Sequence, residues 1–316
     1  MVGIFVVRFV RWAVGLIIIL FITYGMMFYG AGDPIKTMFL QSEDYTATDP
    51  QVMEALRAKY GLDKPFLEQF KDYVVNLLHG DWGRSIRLSV DRPVSEIISF
   101  RLPVSMQLGL AATIVATALG IPLGIFASLK HNRWLDRIII STVMFVTAIP
   151  SFVIAPLLLY FFVLVVKVMN VPYGWNGIFN KDVILPVAVI ALGPLPIIVR
   201  QTRSAMLEVM GQPYIRTAQA KGLPRHAIIS RHMFRPVMIP VVTTIGLIMI
   251  TLVNGALFVE LVFNIPGFGL LTVEGIRTVD YPIIMAVVVI GTLIIFVSNF
   301  FVDLIYPILD PRVRYS

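Results

Sequence analysis

The chain has 316 residues, 57% of them hydrophobic and 14% charged, with a net charge of +7 and no cysteine. Soluble domains carry roughly 25% charged residues, so this chain has too little polar surface to cover a fold that faces water on all sides. The missing cysteines exclude a disulfide framework and a thiolate metal site. The basic residues sit between apolar runs, where they read as loop charges and not as a nucleic-acid face.

About 20 apolar residues cross a hydrocarbon core of ~30 Å as a helix. Uncharged stretches of that order run from Trp12 to Gly32, Leu102 to Leu129, Ile138 to Val166, Val183 to Val199, Pro236 to Val259 and Ile283 to Val302. The first is too long in its apolar part to read as a cleaved signal peptide. The fourth is the shortest and holds Pro186, Pro194 and Pro196. Six spans are expected.

Orientation follows from lysine and arginine in the short loops. The N-terminus, the turn from Lys130 to Arg137, the segment from Arg200 to Arg235 and the C-terminus fall on one side and carry 14 basic residues. The short loops of the other side carry three, Lys167, Lys181 and Arg277. Both termini are therefore expected in the cytoplasm.

The segment from Asp33 to Arg101 then lies outside. Pro50 to Tyr60 reads as a helix stopped by Gly61 at its C-cap. Pro65 can open a second helix, with Phe66, Phe70, Val74 and Leu77 on one apolar face. This is a small helical subdomain resting on the spans, serving either as plain decoration or as a docking surface for an external partner.

Within the spans, Gly120 and Gly124 form a small-xxx-small pair suited to close helix packing. Pro122, Pro150, Pro156 and Pro240 are expected to bend or loosen their helices. Asn254, Glu260 and Asn299 are the polar residues at or near any pathway, with Glu260 expected near the outer interface. None is expected to be a selective substrate ligand.

The segment from Arg200 to Arg235 holds the most information. Gly211 and Pro213 interrupt the helix leaving the fourth span. A short helix from Tyr214 to Lys221 ends at Gly222, a residue suited to the left-handed C-cap. Pro224 opens the next helix, which leads through Arg231 and His232 to Pro236. Composition alone leaves two readings of equal weight, a plain basic loop and a short rigid helix held between two breaks.

The run Tyr214-Ile-Arg-Thr-Ala-Gln-Ala-Lys-Gly-Leu-Pro, followed by Arg231-His232 and Ile239-Pro240, resembles the cytoplasmic signature of ABC-transporter permeases. It is most similar to the first, B-type permease of the dipeptide/oligopeptide importer family. Where the general importer motif has Glu-Ala-Ala, this chain has Arg216, Thr217 and Ala218 before Gly222. Arg101-Leu-Pro-Val-Ser-Met-Gln-Leu-Gly, Gly267-Phe-Gly, Asp280-Tyr-Pro and Leu309-Asp-Pro-Arg-Val-Arg resemble further family segments in the same order, so the resemblance spans nearly the whole chain.

The resemblance implies an all-α protein of the bacterial or archaeal cytoplasmic membrane, with six transmembrane helices, an external helical subdomain and a cytoplasmic coupling helix. The divisions are 1–32 (N-terminus and first span), 33–101 (external subdomain) and 102–316 (spans two to six, with the coupling segment 200–235). It implies ATPase-coupling roles for Tyr214, Arg216, Thr217, Ala218, Lys221, Gly222, Leu223 and Pro224. It further implies a second, C-type permease, two ATPase subunits that bind ATP and magnesium, and an extracytoplasmic solute-binding protein. Family members move dipeptides, oligopeptides, glutathione, nickel complexes or oligosaccharides, and the letters of this chain do not choose among them.

No phosphate-loop pattern, His-Glu-x-x-His or Gly-x-Ser-x-Gly occurs, so neither a catalytic residue nor a cofactor is expected in the chain itself. An ion-coupled carrier or channel is the rival reading, but the spans lack paired carboxylates or a histidine chain suited to an ion relay. A membrane enzyme lacks any acid–base or metal constellation.

Overall fold

The computed structural model describes residues 2–30, 35, 50–169 and 174–309. Residues 36–49 of the outer segment and the C-terminal motif beyond Leu309 lie outside them. Among the described residues there is no strand, only an isolated bridge between Arg84 and Pro93. The fold is all-α.

Each apolar stretch falls on helix. α1 (Val2–Gly30) carries the first; α2 (Pro50–Lys59) and α3 (Phe66–Leu78) follow it, and α4 (Val94–Leu129) runs 36 residues through the second. The third stretch, read from sequence as one span, is instead two helices, α5 (Trp134–Ala148) and α6 (Ser151–Leu159), the latter extended by wide π-type turns over Tyr160–Val165. Their axes differ by 99°. Pro150 causes the break: it has no N–H to donate, and it holds Ile149 extended at φ −96°, ψ 119°.

The fourth stretch also bends, by 55°, where Gly193 and Pro194 separate α7 (Ile184–Ala191) from α8 (Leu195–Met210). After α9 (Pro213–Ala220), α10 (Phe234–Gly255) and α11 (Leu257–Val262) carry the fifth stretch. α12 (Phe268–Thr278) precedes α13 (Tyr281–Leu309), which carries the sixth. Among the described residues α1 and α4 alone are long and apolar enough to cross a bilayer, and the two bent pairs raise that number to four. With α10 and α13 on the remaining stretches, the architecture is compatible with six crossings. Pro122 and Pro240 do not break their helices, which run on through them.

The chain divides into two compact units, one of residues 1–103 with 270–296, the other of 104–269 with 297–316. In the first, α3 packs on α1. Phe66 and Phe70 meet the rings of Phe21 and Tyr24 at centroid distances of 5.2–6.0 Å, and the Tyr24 hydroxyl donates to Gln69 Oε1 at 3.0 Å. Phe66, Phe70 and Leu77 of the expected apolar face join this cluster, and Tyr73 does so in place of the expected Val74. Gly61 takes φ +66° after α2, as a left-handed C-terminal residue should. The loop before α4 is folded around a buried carboxylate: Asp280 accepts from the Ser85 hydroxyl at 2.6 Å and from the Arg87 and Leu88 amides at 2.9 Å each.

In the second unit, the Gly120–Gly124 face of α4 lies directly on α8. A Cβ on Gly120 would come within 2.8 Å of Ile198 Cγ2, and one on Gly124 within 2.6 Å of Thr202 Cβ and 2.7 Å of the Val199 carbonyl. These glycines are present because no side chain fits.

Candidate functional site

The segment between the fourth and fifth apolar stretches is built around α9. Pro213 stands at the first helical position, where its missing N–H has no partner to lose. Gln212 before it is extended, at φ −71°, ψ 144°. Two side chains three residues apart, Ile215 at 1% exposure and Ala218 at 5%, point inward. They join Ala205, Met206 and Val209 of α8, and Ile228, Met233 and Val237 beyond. Tyr214, Arg216, Thr217, Gln219 and Lys221 are exposed. The Thr217 hydroxyl turns back to donate to the Pro213 carbonyl at 3.1 Å.

The end of α9 is a Schellman motif. The Gly222 amide donates to the Gln219 carbonyl at 2.9 Å, and the Leu223 amide reaches the Ala218 carbonyl at 3.4 Å. Gly222 is in the left-handed region, at φ +75°, with nothing within 4 Å of where a Cβ would stand. Pro224 then starts a single helical turn, Arg225–Ala227, with its carbonyl accepting from the Ala227 amide at 2.9 Å. Wide π-type turns over Ile228–Met233 lead into α10. Residues 219–226 are exposed throughout. The result is a short helix held by two side chains, followed by a tight reversal, with Arg216, Lys221 and Arg225 on its open face.

A polar clamp that the sequence did not reveal fastens the neighbouring turn. Asp136, at 3% exposure, accepts from Arg203 Nε at 2.7 Å and Nη2 at 2.8 Å, and from the Asn132 amide at 2.9 Å. The Arg203 hydrogen bonds, helped by the Asn132 amide, hold the Asp136 carboxyl below the usual carboxylate range against the opposing effect of burial. Arg203 Nη2 also lies 3.0 Å from His131 Nδ1. The turn at residues 130–137 is thereby tied to α8, the helix on which α9 is docked.

The Asn254 side chain lies outside the described residues, and Asn299 is exposed on α13. Glu260 is fully buried. Ser105 donates to Glu260 Oε1 at 2.5 Å, and the Ser105 Oγ accepts from the Phe268 amide at 2.7 Å. A Cβ on Gly267 would fall 2.3 Å from the Glu260 carboxyl carbon. The Gly267-Phe-Gly run is glycine-bearing because its backbone closes over this carboxylate, so Glu260 is a fastening of the loop before α12.

A chain of bent apolar helices with one small, lightly docked helix between two of them has the form of the membrane subunit of a transporter. Residues 1–109 match the N-terminal part, and residues 120–315 the main part, of the binding-protein-dependent transport system inner membrane component. The chain belongs to that family, and is a multi-pass inner-membrane permease subunit of the ABC-importer type. It is 34% identical over 300 residues to the oligopeptide transport system permease protein OppB of Escherichia coli K12, covering 95% of each chain. It is 35% identical over 307 residues to the dipeptide transport system permease protein DppB of Bacillus subtilis, covering 97% of this chain and 96% of that one. The inward-facing structure of the MetNI methionine ABC transporter has a chain of the same fold, with a TM-score of 0.56 and 16% identity. The match covers 68% of this chain and 97% of that one.

Proposed function

We propose that this chain is the B-type permease of an ATP-driven peptide importer and forms half of the pathway for di- or oligopeptides beside a C-type permease. The observation that carries the substrate class is the identity of 34–35% to permeases named for oligopeptide and dipeptide transport, sustained over at least 95% of the chain. In this reading α9 faces the cytoplasm, with both termini on the same side. Two ATPase subunits with bound ATP and magnesium engage the exposed Tyr214, Arg216, Lys221 and Leu223. A solute-binding protein delivers peptide from outside.

The geometry supports that coupling role in a specific way. A helix docked by Ile215 and Ala218 alone has about 1.5–3 kcal/mol of burial holding it, most of it from the isoleucine. It is therefore firm enough to transmit a push through α8 and α10, and exposed enough to sit in a partner's surface. Closure of the ATPase dimer moves α9 as a rigid piece, and the spans open outward in response. Selection among peptides is left to the binding protein, since the one buried carboxylate among the candidates already holds a loop.

The test is uptake of a labelled peptide into proteoliposomes holding the full complex with its binding protein. ATP inside the reach of the ATPases should drive uptake, and a proton or sodium gradient without ATP should not. Gradient-driven uptake by this chain alone would favour an ion-coupled carrier.

A further inference from the structure

The first unit contains a cavity of about 470 Å³ that neither the coupling segment nor the pathway candidates touch. Its size is within the range of small-ligand sites, roughly 300–1,000 Å³. The lining has two parts. Tyr24, Tyr281 and Met285 are buried members of the apolar cluster between α1, α3 and the start of α13, and Tyr73 and Trp82 are packed beside them. The other part is charged and half-exposed: Lys59 pairs with Asp91 at 3.4 Å, and Lys64 with Asp72 at 2.5 Å.

Three of these facts bear on what the cavity can hold. Three cations, Lys59, Lys64 and Arg84, and two anions, Asp72 and Asp91, line the charged part, so it suits a ligand that carries both signs. Each pair is exposed, and exposed pairs contribute about 0–1 kcal/mol, so either partner can turn to a ligand group at little cost. The third fact is the Tyr73 hydroxyl. It is buried with no hydrogen-bond partner, whereas the Tyr24 hydroxyl donates to Gln69 and the Tyr281 hydroxyl to the Met27 carbonyl at 2.7 Å. An unpaired buried hydroxyl is unfavourable unless something meets it. Burial raises its pKa, so it remains a neutral donor.

We propose that this cavity is a site for a short zwitterionic peptide, separate from the translocation pathway. The peptide ammonium sits by Asp72 or Asp91 and its carboxylate by Lys59 or Lys64. A large apolar side chain enters among Tyr24, Trp82 and Met285, and a peptide carbonyl accepts from the Tyr73 hydroxyl. The choice of a peptide rests on the transport reading above. The site lets the permease itself sense peptide on the side where the binding protein delivers it.

The experiment is calorimetric titration of the purified complex, in nanodiscs and without its binding protein, with the dipeptide alanyl-phenylalanine. Saturable binding is expected. Tyr73→Phe removes only the unpaired hydroxyl, leaves the fold intact and should weaken binding about three- to tenfold. Ala58→Trp, at an exposed position of the lining, should abolish it. No saturable binding, or binding unchanged by both variants, would overturn the site. Displacement of the peptide by glycerophosphoethanolamine at equal concentration would assign the cavity to a lipid headgroup and overturn the peptide reading. Binding-protein-driven uptake is measured on the same preparations. Uptake without binding removes only the cavity site, whereas loss of both in the unaltered complex removes the transport reading as well.

Discussion

Gly222→Val isolates the proposed coupling element from the rest of the molecule. Gly222 lies at φ +75°, a region that a β-branched residue enters only with strain of about 1–3 kcal/mol. A Cβ there meets nothing within 4 Å, so crowding adds nothing and the whole effect is backbone strain. The opposing quantity is the docking of α9 through Ile215 and Ala218, about 1.5–3 kcal/mol by area removed from water. The two are of equal size, so the valine releases the helix end in preference to unfolding the spans, whose packing is far larger. A strain of about 2 kcal/mol lowers the ratio of docked to released helix by roughly thirtyfold. With the two terms balanced, uptake in the reconstituted complex should fall to about half, and ATP hydrolysis should lose a similar share of its stimulation by the loaded binding protein. Membrane insertion and assembly should be normal. Full uptake together with full stimulation would refute the argument and leave the segment a plain basic loop.

Because the chain has no cysteine, single cysteines report topology directly: Asp63→Cys should react with an impermeant maleimide on intact cells and Gln219→Cys only after lysis, and the reverse pattern would invert the orientation. Arg203→Ala strands the buried Asp136 carboxylate and should lower stability by about 3 kcal/mol, read as a fall in the melting temperature of the purified complex. Asp136 has a depressed pKa, so the clamp is fully present above the unfolded value of about 3.9. It is lost only as pH falls through the lower folded value, and the Arg203→Ala deficit should be flat from pH 5 to 8. Gly124→Leu forces a side chain against Thr202 and the Val199 carbonyl, and should reduce stability by about 1–3 kcal/mol or more; an unchanged melting temperature would mean that α4 and α8 do not approach as described.

What was legible in the sequence is what local chemistry dictates. Pro65 opens α3 because a missing N–H is harmless there, and Gly61 and Gly222 close α2 and α9 because the left-handed turn admits them; Pro213, read as a break before a helix from Tyr214, is instead the first residue of α9. Most of the apolar face of α3 followed from its spacing, and a close helix contact of α4 from two glycines four residues apart, though not that α8 is the partner. The bends were only half legible. Pro150 breaks its helix by 99° while Pro122 and Pro240 leave theirs continuous, and the presence of a proline does not by itself separate the two outcomes. Prolines are tolerated within membrane helices when surrounding groups satisfy the freed carbonyls.

The buried carboxylates were not legible, and the three of them explain why. Asp136 closes on Arg203, 67 residues away; Glu260 on Ser105, 155 away; Asp280 on Ser85, 195 away. Each lies close to where a helix gives way to irregular backbone; Asp136 and Asp280 accept directly from amides of the turns they hold, and Glu260 reaches its loop through Ser105, whose Oγ accepts from the Phe268 amide. Irregular backbone beside a bilayer has few waters to satisfy it, so the chain supplies its own acceptors. A charge in such a place reads as functional by default, and that default drew Glu260 into the pathway candidates. The glycines of Gly267-Phe-Gly carried the correcting signal. A residue that must be glycine because a carboxylate lies where its Cβ would be marks a carboxylate already engaged. Such a group cannot bind passing substrate without releasing the loop it holds, so peptide selectivity has to reside outside these three positions.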